Sequence, residues 1–207
     1  MRKLSVSILD YGLGNPDSVK NMIRKFGVSV NVTCEKDAIE FSDLLIIPGV
    51  GNFGRGMHNL QELDLIGSLN KRRNINKLPI LGICLGMQLF FNSSEEGNCA
   101  GLGWIEGSVT RFIGKDFNIK VPHMGWNIVK VKNHSALFID TDEELRYYFV
   151  HSYHANCLDD SDIIACANYG YEFVCAVKKD VVTGVQFHPE KSHIYGYRFF
   201  ERYLSLM

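Results

Sequence analysis

The opening residues pass from one hydrophobic period to another. Leu4, Val6 and Ile8 fall on every second position, the spacing of a strand, and the chain then turns through Asp10-Tyr11-Gly12-Leu13-Gly14-Asn15. Beyond the turn, Val19, Met22, Ile23 and Phe26 keep helical spacing. Asn15 suits the N-cap, Pro16 the first helical position, Asp17 the positive end of the helix dipole and Gly27 the stop. Val28 to Val32 and Leu44 to Ile47 predict further strands, with a short helix around Asp37 to Phe41. Arg55 to Arg73 reads as broadly helical, and Leu78 to Ile83 is an apolar run short enough for a strand buried on both faces. Such alternation predicts a mainly parallel sheet with helices on both faces.

From Trp104 onward short β-like stretches take over: Val109 to Ile113, Ile128 to Val131, Tyr147 to Val150, Ile163 to Ala167 and Phe173 to Lys178. The last of these meets Lys179-Asp180 and then Val181 to Phe187, a hairpin pattern, and a final helix is predicted from about Ile194 to Leu206. No repeat, low-complexity tract or linker interrupts the chain, so residues 1–207 read as one α/β domain with a β-rich second half.

Composition narrows the function. The 207 residues are 46% hydrophobic and 22% charged, with 22 Lys and Arg against 23 Asp and Glu for a net charge of −1. A globular chain this close to neutral lacks the basic surplus of a nucleic-acid binder, so no nucleic-acid partner is expected. The apolar positions at the start alternate with serine and meet Asp10 too soon for a signal peptide. No apolar run approaches the ~20 residues that span a bilayer, so a cytoplasmic protein with no membrane partner is expected. The six cysteines (Cys34, Cys84, Cys99, Cys157, Cys166, Cys175) form no C-x-x-C pair, which argues against a zinc ribbon and against a disulfide framework. Most are expected to be reduced and buried.

Three segments carry chemistry. In Gly82-Ile83-Cys84-Leu85-Gly86 a predicted strand ends in G-x-C-x-G before a predicted helix, the pattern of a nucleophile elbow with cysteine in place of serine. The glycines allow a sharp turn, the helix N-terminus is expected to lower the thiol pKa, and backbone N–H groups there can hold an oxyanion. A free cysteine is ordinarily buried and inert, and that reading is kept for the other five. A cysteine nucleophile needs a base, and the base needs an orienting group. Val181 to Phe187 delivers His188 at the end of a strand, and residues two apart in an extended segment point the same way, so Glu190 can hold the imidazole in one tautomer. Third, Ile46-Ile47-Pro48-Gly49-Val50-Gly51-Asn52-Phe53-Gly54 opens from a buried strand into a glycine-rich turn that can present N–H groups to developing negative charge.

Other patterns fail on inspection. Gly12-Leu13-Gly14 begins like a dinucleotide fingerprint, but Asp17 stands where the third glycine belongs, and no P-loop sequence exists. His151-Ser152-Tyr153-His154 lacks a helix or an acidic third ligand, so no metal is assigned and these histidines are expected to face solvent or an interface.

Taken together and in chain order, PGVG (Pro48 to Gly51), GICLGMQ (Gly82 to Gln88) and QFHPEKS (Gln186 to Ser192) resemble the class I glutamine amidotransferase family over nearly the whole chain. Within it, DYGLGN, PGVGNFG, GLGW, KVPHMGWN (Lys120 to Asn127), YFVHSY (Tyr148 to Tyr153) and FHPEKS are similar to the branch of glutaminase subunits of imidazole glycerol phosphate synthase, with PHMGWN and HPEKS discriminating. The resemblance implies a flavodoxin-like three-layer sandwich, a nucleophile at Cys84, a general base and acid at His188, an orienting group at Glu190, and oxyanion N–H groups at Val50 and Leu85. It further implies contacts to substrate glutamine from Gly51, Gln88 and Glu96, the last through the α-ammonium, with no cofactor and no metal. Ammonia would pass to a separate synthase or cyclase subunit in a heterodimer, with Asn15, Trp126 and Lys191 as interface candidates. Pro16-Asp17 and His193-Ile194-Tyr195-Gly196 depart from the histidine-pathway pattern. Chains of surface-sugar amidation share PHMGWN and HPEKS, so a sugar-amidating synthase remains an alternative partner. A peptidase or γ-glutamyl hydrolase acting alone is the rival from another class.

Overall fold

The computed structural model describes residues 3–114, 119–133, 135–138 and 144–207. The first half runs β1 (Ser5–Leu9), α1 (Pro16–Ile23), β2 (Ser29–Thr33), α2 (Lys36–Phe41), β3 (Leu44–Gly49), α3 (Phe53–Glu62), α4 (Ile66–Lys71), β4 (Ile80–Cys84) and α5 (Leu85–Gln88). It continues through β5 (Phe91–Ser94), β6 (Cys99–Ala100), β7 (Ile105–Arg111), β8 (His123–Val131), β9 (Leu145–His151) and β10 (Tyr153–Cys157). The chain closes with β11 (Ile163–Tyr169), β12 (Tyr171–Lys179), β13 (Val182–Val185) and α6 (His193–Ser205).

The strands order as β2-β1-β3-β4-β13-β12-β10-β7-β5-β6, with β11 pairing β12 and β8, and β8 pairing β9. From β2 to β13 every pair is parallel. The hairpin at Lys179-Asp180 then reverses the direction, and Asp180 takes the left-handed φ of 52° that the tight turn requires. The parallel half and the β-rich half therefore form one sheet.

Alternation explains why the β3 run is apolar throughout. Leu44 and Ile46 pack on one face, with α1 residues Val19 and Ile23 and α6 residues Phe199 and Phe200. Leu45 and Ile47 pack on the other, with Ile39 of α2, Leu60 of α3 and Leu69 of α4. The start of α1 follows its local signals: the Asn15 side chain accepts from the Ser18 N–H at 3.2 Å, Pro16 opens the helix, and Gly27 turns left-handed at φ 71° after a short 3₁₀ turn.

The expected helix over Arg55 to Arg73 is not continuous. It begins earlier, capped by Asn52, breaks after Glu62 at Asp64 (φ 51°), and resumes as α4. The break lets Leu60, Leu65 and Leu69 all reach the core. The cysteine expectation also needs correction, since Cys34 is exposed and Cys99 and Cys157 are half-buried. Cys34 follows β2 and Cys99 lies on β6, the two ends of the sheet order, where one side has no neighbouring strand to cover it.

Arg72, just after α4, is fully buried. Its guanidinium donates to the Ile39 carbonyl at 2.8 Å, the Ser42 carbonyl at 2.9 Å and the Pro79 carbonyl at 2.8 Å, tying the end of α2 to the segments entering β3 and β4. Burial pulls its pKa down to about 10, so it stays charged at neutral pH. Replacing it with leucine strands these carbonyls, so Arg72→Leu should cost about 3 kcal/mol or more of unfolding free energy in chemical denaturation.

Candidate active site

Three neighbouring parallel strands end at one place. Gly49 of β3 is in register with Cys84 of β4, and Val185 of β13 with Ile83. The segments that follow therefore converge at the carboxyl ends of the strands, where open α/β sheets form their ligand crevices. A pocket of about 450 Å³ opens there, and its lining includes Val50, Gly51, Cys84, Leu85, Gln88 and Glu96. The residues singled out at the glycine turn and the elbow are thus brought to one cavity.

Cys84 takes φ 54° and ψ −109°, a strained conformation for a residue with a side chain. The glycines around it are needed for space. A Cβ on Gly86 would stand 1.8 Å from the Ile47 carbonyl oxygen, and one on Gly82 would stand 2.5 Å from the Phe90 ring. The elbow is confirmed, but the helix behind it is a single turn, Leu85–Gln88. Gln186 Nε2 donates to Cys84 Sγ at 3.5 Å.

His188 and Glu190 meet as strand spacing predicts, with His188 Nδ1 donating to Glu190 Oε1 at 2.8 Å and the two side chains only 2% and 5% exposed. Apart from its interaction with Cys84, Nε2 has no hydrogen-bond partner. Burial disfavours charge on His188, but negative charge at Cys84 and the Glu190 carboxylate outweigh it and raise its pKa to about 10. The backbone is clamped as well: His188 N–H donates to the Tyr148 carbonyl at 2.9 Å, and Ser192 Oγ donates to the His188 carbonyl at 2.6 Å while accepting from Tyr148 N–H at 3.0 Å. Gly196 belongs to this clamp, because a Cβ there would stand 1.7 Å from the Pro189 carbonyl oxygen.

On the opposite wall, Glu96 Oε2 accepts from the Phe53 N–H at 2.7 Å, which fixes its carboxylate beside the glycine turn. Gln88 Nε2 donates both to the Tyr153 carbonyl at 3.0 Å and to Gln186 Oε1 at 2.9 Å. Gln186 escaped the sequence reading, although the rule that paired His188 with Glu190 also places Gln186, two residues before His188, on the same face.

The histidines of HSYH are not solvent-facing. His151 and His154 are buried, and β8 lies against β9 in a register that sets His123 opposite His151. The Tyr153 carbonyl can only accept, so His151 Nδ1 donates to it (2.7 Å), and His151 Nε2 accepts from His123 Nδ1 (3.0 Å). His123 Nε2 then accepts from Asn127 Nδ2 (3.2 Å), which assigns both tautomers from the network. Burial lowers the pKa of His151 to about 3 and of His123 to about 4, so both are neutral, enclosed with Phe112, Phe149 and Phe173. Among the described residues no cluster suited to holding a metal ion is found. No helix among them is long and apolar enough to cross a membrane.

Of the interface candidates, Asn15 is exposed and caps α1, and Lys191 is exposed beside the histidine turn. Trp126 is 48% exposed, stacked on His193 at 5.7 Å and set edge-on to Tyr148 and Tyr195. Of the residues that depart from the expected pattern after HPEKS, His193 and Tyr195 thus form one aromatic patch with Trp126.

A cysteine elbow, a histidine–carboxylate pair and a glycine turn gather at the carboxyl ends of parallel strands in an α/β sheet. Residues 7–200 match the family described as Glutamine amidotransferase class-I, and the chain belongs to that family. It is similar to imidazole glycerol phosphate synthase subunit HisH 2 of Methanococcus maripaludis, 48% identical over 97% of this chain and 98% of that protein. It is 41% identical to the protein of the same name from Pseudomonas aeruginosa, over 98% of this chain and all of that one. Among solved structures, PurLQS from Thermotoga maritima superposes with a TM-score of 0.75 at 17% identity, covering 99% of each chain. A glutamine amidotransferase from Thermotoga maritima gives a TM-score of 0.64 at 18% identity, covering 100% of this chain and 84% of that one. Likeness at that identity speaks for the fold, which is the expected three-layer flavodoxin-like sandwich.

The buried histidines make stability depend on acid. A histidine whose folded pKa lies below its unfolded value near 6.5 contributes no penalty above that pH, and the penalty grows as pH falls toward the folded value, by about 1.4 kcal/mol per pH unit for each group. For His123 the window runs from that unfolded value down to about 4. His123→Phe should flatten the fall in unfolding free energy across it, measured by denaturant titration at several pH values.

Proposed function

We propose that the chain is a glutaminase that hydrolyses L-glutamine to glutamate and ammonia, with residues 1–207 acting as one catalytic domain. The observation that carries this reading is that Cys84 shares one pocket with Val50 and Gly51 of the glycine turn and interacts with His188, itself held by Glu190, at the carboxyl ends of β3, β4 and β13. In this reading His188 Nε2 takes the thiol proton as Cys84 Sγ attacks the side-chain carboxamide carbon. N–H groups of Val50 and Leu85 hold the oxyanion, and His188 Nε2 protonates the nitrogen as the C–N bond breaks. Ammonia leaves a γ-glutamyl thioester. His188 then takes a proton from water, whose oxygen attacks the thioester carbon, and glutamate departs as Cys84 regains its thiol. Glu190, accepting from Nδ1, keeps Nε2 facing the sulfur. Gly51, Gln88 and Glu96 contact the substrate, with the Glu96 carboxylate pairing with its α-ammonium.

Ammonia released into neutral water becomes ammonium and is no longer a nucleophile. A glutaminase of this kind therefore delivers its product directly to a second enzyme. We assign that role to the cyclase of imidazole glycerol phosphate synthesis, in a heterodimer serving histidine biosynthesis, because the relatives named HisH match over nearly their whole length and PHMGWN and HPEKS are both present. The patch of exposed Trp126 and His193 with half-buried Tyr195, together with Asn15 and Lys191, is the surface proposed to meet the partner. A second reading, a synthase that amidates surface sugars, is favoured by Pro16-Asp17 and His193, which depart from the histidine-pathway pattern.

Cys84→Ala should abolish glutamine-dependent synthesis while leaving ammonium-dependent synthesis by the assembled complex intact. Residual glutamine turnover in that variant would move the nucleophile to another cysteine. Adding the cyclase and its acceptor ligand should raise kcat for glutamine, by ~10²-fold if one oxyanion donor is switched into place. The chain, supplied with the cyclase of its own source, should restore growth to a histidine auxotroph lacking this subunit. No growth, with a glutaminase-competent complex formed instead with a sugar-modifying synthase, would shift the assignment to the second reading.

A further inference from the structure

Tyr11, the first residue of the turn after Asp10, is fully buried, yet its hydroxyl has no hydrogen-bond partner. An unpaired buried hydroxyl is destabilising, a cost phenylalanine would avoid, so its position matters. The point where a Cβ on Gly49 would stand lies 2.4 Å from Tyr11 Oη, 2.8 Å from Leu85 Cβ and 3.1 Å from Gly86 N. Adding one carbon–carbon bond of about 1.5 Å places the hydroxyl within about 4 Å of the Gly49 Cα. It is thus wedged beside Gly49 and the Gly49–Val50 peptide, whose N–H is one of the two proposed to hold the oxyanion, with Leu85 and Gly86 of the elbow facing the same Gly49 position. Val50 lines the pocket and Tyr11 does not, so the hydroxyl approaches the Gly49–Val50 peptide from behind. Burial, followed by negative charge at Cys84, pushes the phenol pKa upward and keeps the hydroxyl a proton donor.

We propose that Tyr11 is a positioning residue for the oxyanion hole, its O–H donating to the Gly49 carbonyl when the Gly49–Val50 peptide presents its N–H to the Cys84 site. In a trans peptide the carbonyl and the N–H point in opposite directions, so turning the Val50 N–H toward the pocket carries the Gly49 oxygen to the side where the hydroxyl lies. The absence of a Cβ at Gly49, and at Gly51 with its φ of 112°, leaves that peptide free to turn. The hydroxyl unpaired in one orientation gains its acceptor in the other, which biases the turn toward the competent form. This inference rests on the proposed function, specifically on Val50 N–H as an oxyanion donor.

Tyr11→Phe in the complete complex removes one oxygen and keeps the ring. The expected result is a kcat for glutamine lowered about tenfold, the effect of one lost hydrogen bond, with KM unchanged. Ammonium-dependent synthesis should be unaffected and the thermal midpoint equal or higher. Affinity for a γ-glutamyl aldehyde, which forms a tetrahedral adduct on Cys84, should fall by the same factor as kcat. A kcat within about twofold of wild type would overturn the inference and leave the glutaminase reading standing. A loss of kcat accompanied by a lower midpoint would also overturn it, since the hydroxyl would then be an ordinary structural partner. A wild-type complex that turns over no glutamine would remove the proposed function and the inference together.

Discussion

The close approach of the Cys84 elbow to strand β3 governs the rest of the site. A Cβ on Gly86 would overlap the Ile47 carbonyl oxygen at 1.8 Å, and one on Gly49 would meet Tyr11 Oη at 2.4 Å and Leu85 Cβ of the elbow at 2.8 Å. Backbone contact this close is available only to glycine, and it aligns the Val50 and Leu85 peptides on one pocket. It also holds Cys84 at a positive φ, so the strain is borne where the nucleophile is displayed. With Gly86 enlarged, the elbow and β3 could no longer keep the register that pairs Gly49 with Cys84.

Around that contact, the same side-chain type is put to opposite electrostatic uses. His188 is buried beside Cys84 and Glu190, and the two negative partners outweigh desolvation to favour its charged form. His123 and His151 are buried among aromatic rings with no carboxylate partner, and desolvation keeps them neutral. Neutral imidazoles can both donate and accept, so they relay from Asn127 to the Tyr153 carbonyl, which also accepts from Gln88; Gln88 in turn donates to Gln186, and Gln186 to Cys84 Sγ. One end of this set of bonds lies next to Trp126 on β8, and the other touches the candidate nucleophile.

Much of this was legible along the chain because it depends on local spacing. Two-residue periodicity aligned His188 with Glu190, glycines flanking Cys84 marked a turn without room for side chains, and continuous apolar runs marked strands covered on both faces. The caps of α1 and the hairpin at Asp180 were readable for the same reason.

What the sequence could not supply is distant in the chain. The burial of His151 follows from the β8–β9 register, which joins residues 28 apart, and the Gln88–Gln186 bond joins residues 98 apart. Tyr11 gains its meaning only because β1 lies beside β3, so that the turn after one reaches the glycine turn after the other. Periodicity specifies which face of an element is buried and which residues can turn. Partner, protonation and tautomer are fixed only when the sheet closes, because each depends on the neighbour across the strand rather than the neighbour along it.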